Sequence, residues 1–245
     1  MNKKGQVTLF IIIAIIIVVL GVLFFIFKDS INFSSQKLRV SDVELKVSEC
    51  LKDNSEYVLW GVGQGGGYFY PINDSTEFGI TYYYLNNENL MPSLEEVEKE
   101  ISNIISEKVY YCVNNFTNFT NYDEIEARYP SAKTTINDEK TYLELRFPIK
   151  VVKGEEVIYL EEFPYELRIP LGKMYSVAEY MISIEKEKQG ICITCNAEAA
   201  LNRDLTIEMI DGENQTVIFI LKDENYLLED KEFEWVFAND YSKGL

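Results

Sequence analysis

Histidine is absent from this sequence of 245 residues, and its absence removes much of ordinary active-site chemistry. Imidazole is the side chain most often used as a general base and as a metal ligand, and it activates the nucleophile of Ser-His and Cys-His pairs. The sequence also lacks a nucleophile elbow and an EF-hand calcium loop. It therefore predicts no catalytic residue, no metal site and no cofactor, and an enzyme is the less favoured class.

Positive charge is also scarce, because 40 Asp and Glu residues stand against only 23 Lys and Arg residues. Beyond Lys28 there are 40 acidic and 20 basic residues, a net charge of −20. Such a surface repels phosphate backbones and anionic head groups, which argues against nucleic acid as a partner. Clusters of carboxylates in so acidic a chain are typical of a solvated surface, and no glycosidase-like pair can be located among them.

Cysteine is sparse, with four residues in the chain: Cys50, Cys112, Cys192 and Cys195. In an exported domain four cysteines indicate two disulfides, and three pairings are open. Cys50 and Cys112 each fall on the apolar face of a predicted helix, so packing of the two helices would bring them together. Two other interpretations of the C-x-x-C pair stay open, namely a zinc site with all four cysteines and a redox dithiol.

One long apolar run is present, from Gly5 to Phe27, and it contains no charged residue. As a helix it would span about 30 Å, the thickness of a bilayer core. Lys3 and Lys4 precede it, so the positive-inside rule places the N-terminus in the cytoplasm and the rest outside the cell. We predict an anchor over 1–28, a linker over 29–40, an extracytoplasmic domain over 41–240 and a tail over 241–245. Two sub-domains, 41–190 and 191–240, are an alternative.

Periodicity predicts an α+β domain of antiparallel sheet with about three amphipathic helices. Capping boxes at Ser41 and Ser93 open the first two helices, and a third runs from Leu171 to Lys188. A short helical run follows over 196–202. Predicted strands cover 68–71, 81–85, 143–151, 157–169, 205–210, 216–221 and 232–238, and the prolines at 148, 164 and 170 favour an edge or a bulge.

A run rich in glycine, from Gly61 to Gly67, follows the first helix. It matches G-x-G-x-x-G, but a dinucleotide site needs a strand before the run and a helix after it, which is the reverse of this order. A helix terminator with a tight turn is the alternative. A partner contact built from Gly65, Gly66, Tyr68 and Tyr70, with the Tyr82–Tyr84 strand, is a third hypothesis.

Within the predicted domain over 41–240, four Asn-x-Ser/Thr sequons occur, at Asn73, Asn115, Asn118 and Asn214. They fall in predicted loops or at helix ends, where a glycan could be carried. Patterns of three residues also arise by chance in a chain rich in Asn and Thr. We therefore keep both interpretations, glycosylation sites and chance matches.

The segment from Lys3 to Phe10 resembles the class III signal of archaeal type IV pilins and related surface proteins. The resemblance implies cleavage between Gly5 and Gln6, which leaves the apolar helix on the mature chain. Members of that family usually carry Glu at the fifth mature position, where this chain has Phe10, so simple anchoring is favoured over filament assembly.

Three further features resemble membrane-anchored surface proteins of small-genome archaea: Glu49-Cys-Leu51, Gln64-Gly-Gly66 with Tyr68, and the late cysteine pair, Cys192 and Cys195, before Trp235-Val-Phe-Ala-Asn239. That resemblance implies a location and no activity. We expect a single-pass surface protein that binds a partner or serves as a structural envelope component. Its partners would be the membrane and other surface proteins, an envelope polymer or further copies of itself. A pilin-like subunit is the alternative, and an extracytoplasmic enzyme is the second alternative.

Overall fold

The computed structural model describes residues 42–188, 190–228 and 231–242. The predicted anchor, the linker and the cleavage site at Gly5 and Gln6 lie outside these residues, as does the capping residue Ser41. Among the helices described, none combines the length and the apolar character needed to cross a membrane.

The described residues contain four α-helices and nine β-strands. The helices are α1 (42–64), α2 (Leu94–Val113), α3 (Leu171–Lys188) and α4 (Ile193–Leu201). The strands are β1 (Tyr82–Leu85), β2 (Glu88–Asn89), β3 (Glu124–Ala127), β4 (Ser131–Ile136), β5 (Thr141–Lys153), β6 (Glu156–Leu167), β7 (Thr206–Asp211), β8 (Thr216–Leu228) and β9 (Lys231–Asp240). Helices and strands occur in separate runs, which confirms the α+β class.

The first sheet has five strands in the order β2-β1-β9-β8-β7. Neighbouring strands are antiparallel except β1 and β9, which are parallel. The central strand β9 is buried continuously from Trp235 to Asn239, so its sequence is largely apolar and does not alternate. The sheet thus combines strands from both sides of residue 190.

The second sheet is built around β5, which pairs with β6 along one edge and with β4 and β3, end to end, along the other. Leu143, Leu145 and Phe147 are buried while the residues between them face solvent, as the alternating pattern predicts. Pro148 lies inside a shift of register between Arg146 and Ile149, so the predicted irregularity at this proline is confirmed.

Side chains of α2 cover the outer edge of β4, a strand that the sequence analysis did not predict. Three peptide N–H groups of β4 donate to α2 side-chain oxygens: Ala132 to Ser106 at 2.7 Å, Thr134 to Ser102 at 2.9 Å and Ile136 to Glu98 at 2.8 Å. The donors are spaced two residues apart along β4, which is about 6.6 Å, and the acceptors four residues apart along α2, which is about 6 Å. The two spacings therefore match. An edge that would otherwise invite pairing with other chains is thereby closed.

The predicted strand over 68–71 is wrong, because these residues form no ladder with any described strand. Gly66 and Gly67 have positive φ angles, which turn the chain sharply after α1. The N–H of Phe69 then donates to the Glu100 carboxylate at 3.2 Å, and the Phe69 ring packs directly on Gly61. Packing of aromatic side chains on the helices takes the place of strand pairing here.

Candidate functional site

The glycine run brings the end of α1 into direct contact with the backbone of β9. A Cβ on Gly63 would lie 2.4 Å from the carbonyl oxygen of Glu234, and a Cβ on Gly66 would lie 2.8 Å from that of Val236. Both distances are shorter than any real carbon–oxygen contact, so only glycine permits this approach. Gly66 has a φ of 64° in addition.

The carbonyl groups of the two candidate contact glycines are engaged within the domain. Thr81 donates its hydroxyl hydrogen to the Gly65 carbonyl at 2.6 Å, and Tyr83 donates to the Gly66 carbonyl at 3.2 Å. The indole N–H of Trp235 in turn donates to the Tyr83 hydroxyl at 3.1 Å. Gly66 is buried and Gly65 half-buried, so their main effect is to fix the position of the aromatic residues that follow.

The predicted contact tyrosines differ in exposure. Tyr70 is exposed and Tyr68 half-buried, and burial raises the pKa of Tyr68, with Glu96 and Glu100 adding to the effect. Tyr83 and Tyr84, by contrast, are buried in the first sheet. The hypothesis that the Tyr82–Tyr84 strand forms a contact surface is therefore corrected, because its central rings belong to the core.

Four strongly exposed tyrosines lie along α1, α2 and the adjoining loops, and we call this set the tyrosine strip. Its members and their exposed fractions are Tyr57 at 58%, Tyr70 at 52%, Tyr111 at 68% and Tyr129 at 60%. Only Tyr70 among them was proposed from the sequence. Tyr57 follows Cys50, and Tyr111 follows Ile104, by two helical turns. Both rings therefore border the apolar stripe of their helix, so the sequence carries no signal that they are exposed.

Less exposed side chains connect the members of the tyrosine strip in two pairs. Phe69 stands between Tyr57 and Tyr70, with ring centroids 5.4 and 4.8 Å away, and both contacts are edge-on. Lys108 lies 5.9 Å from the centre of the Tyr57 ring and 5.4 Å from that of Phe69, in the range of a cation–π interaction. Lys108, a polar residue at the edge of the apolar face of α2, thus packs its ammonium group against two rings.

The other end of the strip continues from Lys108 along α2. Tyr111 lies one helical turn beyond Lys108, and Tyr110 contacts both Tyr111 at 5.6 Å and Tyr129 at 5.0 Å. Burial raises the pKa of the Tyr129 hydroxyl, and the negative charge of Glu107 raises it further. The rings are thus held in place by packing and bordered by carboxylates, while one face of the strip stays open to solvent.

All four cysteines are paired. Cys50 of α1 is bonded to Cys112 of α2 with their Cα atoms 5.8 Å apart, and Cys192 is bonded to Cys195. The prediction of two disulfides is confirmed, as is the meeting of the first two helices. A zinc site with four cysteines is corrected, because sulfur in a disulfide is not a thiolate ligand. Within the described ranges, no group of His, Cys, Asp or Glu is arranged to hold a metal.

The four sequon asparagines all face solvent. Asn73 lies in the loop before β1, Asn115 and Asn118 follow the end of α2, and Asn214 lies in the turn between β7 and β8. Asn115 and Asn214 adopt positive φ angles, which asparagine tolerates better than most residues. Their exposure meets the steric requirement for a glycan, while their use stays a prediction.

A buried carboxylate, which the sequence analysis did not single out, lies between α3, α4 and β9. Glu185 accepts hydrogen bonds from the side chains of Asn196 at 3.1 Å, Asn239 at 2.6 Å and Tyr241 at 2.6 Å. Burial raises the pKa of Glu185, and the three donors oppose that shift. Burial also raises the pKa of Tyr241, and the neighbouring Glu185 adds to the rise. The cluster joins the last helix to the central strand through polar contacts.

Comparison of the chain with protein-family models, with curated protein sequences and with solved structures gave no significant match to any of them.

Proposed function

We propose that the chain is a single-pass, membrane-anchored surface protein whose folded domain binds an extracellular partner through the tyrosine strip. The uncharged run from Gly5 to Phe27, preceded by Lys3 and Lys4, supports the anchor and its orientation. Two disulfides support an oxidising compartment for the domain. The exposure of Asn73, Asn115, Asn118 and Asn214 is compatible with the same location.

The observation that carries this proposal is a set of four exposed tyrosines, of which Tyr57 and Tyr70 are joined through Phe69, and Tyr111 and Tyr129 through Tyr110. Monomeric domains usually keep large rings inside, and a row of them at the surface is typical of an interaction site. Tyrosine is enriched at interfaces because it offers a large contact area and a hydroxyl group at little cost in side-chain entropy. Phe69 and Tyr110 hold the exposed rings in place before a partner binds, which lowers the entropy cost of association.

Charge indicates the chemistry of the partner. The carboxylate of Glu100 is bonded to the backbone of Phe69, and the charge of Glu107 acts on Tyr129, so acidic groups border the strip. The sequence beyond Lys28 carries a net charge of −20. Lys and Arg side chains of a partner would gain from the carboxylates and from the faces of the rings. We therefore propose another surface protein with a basic, partly apolar patch as the partner.

The test is a binding measurement with the full chain reconstituted in lipid nanodiscs. Surface proteins and envelope polymer from the same cells are presented separately to the native chain and to the double variant Tyr111→Ser/Tyr129→Ser. We expect saturable binding to the protein fraction, weakened at least about tenfold in the variant, which corresponds to about 1.4 kcal/mol. Salt at about 1 M, where the Debye length is about 3 Å, should weaken it as well.

The matched control is Tyr142→Ser/Tyr159→Ser, which removes two exposed tyrosines from the second sheet. It should bind like the native chain. Equal binding by both double variants would place the interface elsewhere. Binding to the polymer fraction alone would show that the partner is not a protein.

A pilin-like subunit that assembles through the apolar segment is the second candidate, and it rests on the resemblance of residues Lys3 to Phe10. Cleavage between Gly5 and Gln6, detected by intact mass, together with filaments in sheared surface preparations, would support it. An uncut N-terminus and a monomer in detergent would contradict it.

A further inference from the structure

The disulfide between Cys192 and Cys195 lies at the surface, at the start of α4. Cys192 is the residue that precedes the helix, Cys195 lies in its first turn, and both are partly exposed. Their neighbours Ile191 and Ile193 are exposed as well, Ile193 to 60%. Two isoleucines beside an accessible disulfide form an apolar border that solvation alone does not explain.

A lysine from the preceding helix contacts both sulfur atoms. The ammonium nitrogen of Lys188 lies 3.0 Å from the sulfur of Cys195 and 3.3 Å from that of Cys192. A neutral disulfide is a weak acceptor, so this contact contributes little while the bond is intact. Once the bond opens, a thiolate at either position gains a full charge interaction with Lys188, and the N-terminus of α4 acts in the same direction.

The buried Glu185 cluster holds α4 in this position. Asn196, the residue directly after Cys195, donates its side-chain N–H to Glu185 at 3.1 Å, and both side chains are buried. Glu185 and Lys188 lie one turn apart on α3, so one helix both fixes the disulfide and supplies the cation beside it. The geometry of the sulfur atoms and the ammonium group therefore depends on packed elements and not on a loose loop.

A cleft of about 360 Å³ borders Cys195. Its walls combine Val177, Tyr180 and Ala199 with four polar residues, Ser176, Glu198, Asn202 and Arg203. A cleft that offers both apolar surface and polar groups next to an accessible disulfide suits a segment of polypeptide, which carries both kinds of group.

We propose that Cys192 and Cys195 form a thiol–disulfide exchange site that transfers its disulfide to dithiols of exported polypeptides. This activity is independent of the tyrosine strip. A substrate thiolate attacks the sulfur of Cys192, a bond forms between these two sulfurs, and the Cys192–Cys195 bond breaks. Cys195 leaves as a thiolate beside Lys188, because its sulfur is the nearer of the two to the ammonium group.

The second substrate thiol, as its thiolate, then attacks the substrate sulfur in the mixed disulfide. The substrate gains a disulfide and loses two electrons and two protons, while Cys192 and Cys195 gain both electrons and become a dithiol. A low-molecular-weight disulfide restores the oxidised pair and is itself reduced to two thiols.

Reduction of the full chain in detergent tests the first requirement of this proposal. The oxidised protein is equilibrated with increasing reduced glutathione, the free thiols are alkylated, and the positions are read by mass. We expect Cys192 and Cys195 to open at a glutathione concentration at least about tenfold below that needed for Cys50 and Cys112, because accessible pairs exchange more readily. Equal resistance of the two disulfides would overturn the proposal.

Transfer is measured by mixing the oxidised full chain with reduced, unfolded ribonuclease. Each event should consume two ribonuclease thiols and create two thiols at Cys192 and Cys195. The variant Cys192→Ala/Cys195→Ala keeps Cys50–Cys112 and should show no transfer. Transfer by that variant at the native rate would contradict the assignment.

The role of Lys188 is tested with Lys188→Gln, with Lys186→Gln as the control from the same turn of α3. Loss of the charge beside the leaving thiolate should slow transfer by about three- to tenfold and should move alkylation of the reduced pair to higher pH. Lys188→Arg should restore most of the rate. If Lys188→Gln and Lys186→Gln behave alike in both measurements, Lys188 takes no part in the exchange.

Discussion

The two disulfides of this chain differ in nearly every physical property that decides what a disulfide does. Cys50–Cys112 joins α1 to α2 and spans 62 positions of sequence, whereas Cys192–Cys195 spans three. In the loop-entropy model the longer loop gives about 4 kcal/mol of stabilisation and the shorter about 2 kcal/mol. The Cys50–Cys112 bridge therefore serves mainly to stabilise the fold, whereas the Cys192–Cys195 bridge stabilises it much less, although both are disulfide bonds.

Their surroundings differ in the same sense. Cys50 is buried and Cys112 is half-buried, and Tyr57 of α1 and Lys108 of α2 make a second contact between the two helices. Cys192 and Cys195 are partly exposed, with a cation beside both sulfurs. A disulfide that is exposed, contributes little to stability and lies next to a positive charge is suited to thiol–disulfide exchange. A disulfide that lies between two packed helices is suited to a permanent structural role.

The largest effect we expect is the loss of the buried bridge. Cys50→Ala/Cys112→Ala should lower the free energy of unfolding by about 4 kcal/mol, because the unfolded chain regains the entropy of a long open loop. Urea unfolding of the full chain in detergent, without reductant, measures the change. A loss below about 2 kcal/mol would mean that the packing of α1 on α2 is enough to hold these helices without the bond.

The contact between α1 and β9 offers a second way to test the rigidity of this region. Gly63→Ala would place a Cβ 2.4 Å from a backbone oxygen of β9, which cannot rotate away as a side chain could. We expect a loss of about 1–3 kcal/mol in unfolding free energy, typical of overpacking. Gly190→Ala is the control, because a Cβ there meets nothing within 4 Å. Equal stability of both variants would show that the end of α1 shifts easily.

Loss of the exposed Cys192–Cys195 bridge should lower the free energy of unfolding by a smaller amount. Cys192→Ala/Cys195→Ala should cost at most about 2 kcal/mol, because a short loop loses little entropy when it closes. The same urea experiment, run beside Cys50→Ala/Cys112→Ala, compares the two directly. If the exposed pair cost more than the buried pair, the division between a structural and an exchangeable disulfide would fail.

Sequence reasoning predicted the parts of this fold that depend on local periodicity. The alternation from Leu143 to Val151 and the capping box at Ser93 are both present in the structure. The bounds of α3 agree with the predicted Leu171 to Lys188. Each of these signals is complete within about 20 residues, so no knowledge of tertiary contacts is needed to read it.

What sequence reasoning missed depends on contacts between distant residues. The edge strand β4 takes its hydrogen bonds from Glu98, Ser102 and Ser106 of α2, and nothing near β4 in the sequence reveals them. The predicted strand at 68–71 failed because Phe69 packs on the helices instead of pairing.

The candidate site was predicted in part for the same reason. Tyr70 was found because it follows a glycine run, whereas the rest of the strip requires α1 and α2 to lie side by side. The C-x-x-C pair was visible in the sequence, but the contact of Lys188 with both sulfurs was not. In the sequence nothing distinguishes Glu185 from the other acidic residues. Only the structure shows that Asn196, Asn239 and Tyr241 surround it.

The smallest effect we expect concerns Glu185, which holds α4 and hence the exposed disulfide in place. Burial raises its pKa above the ordinary value of 4.5, so the folded state binds the proton more tightly than the unfolded state. The resulting stabilisation is complete below the unfolded pKa and is lost as pH rises through the folded pKa. The unfolding free energy of the native chain should therefore fall across this window relative to Glu185→Gln, which does not titrate there.

Urea unfolding between about pH 4 and 8 measures this difference in unfolding free energy. The other carboxylates are common to both chains, so their contributions cancel in the difference. The control is Glu187→Gln, which changes an exposed acid on the same helix and should run parallel to the native chain. A native-minus-variant difference that rose with pH would show that the donors Asn196, Asn239 and Tyr241 outweigh burial. In that case the Glu185 site would favour the carboxylate ion over the neutral acid. It would then hold α4, and the exposed disulfide at its start, more firmly at neutral pH than in acid.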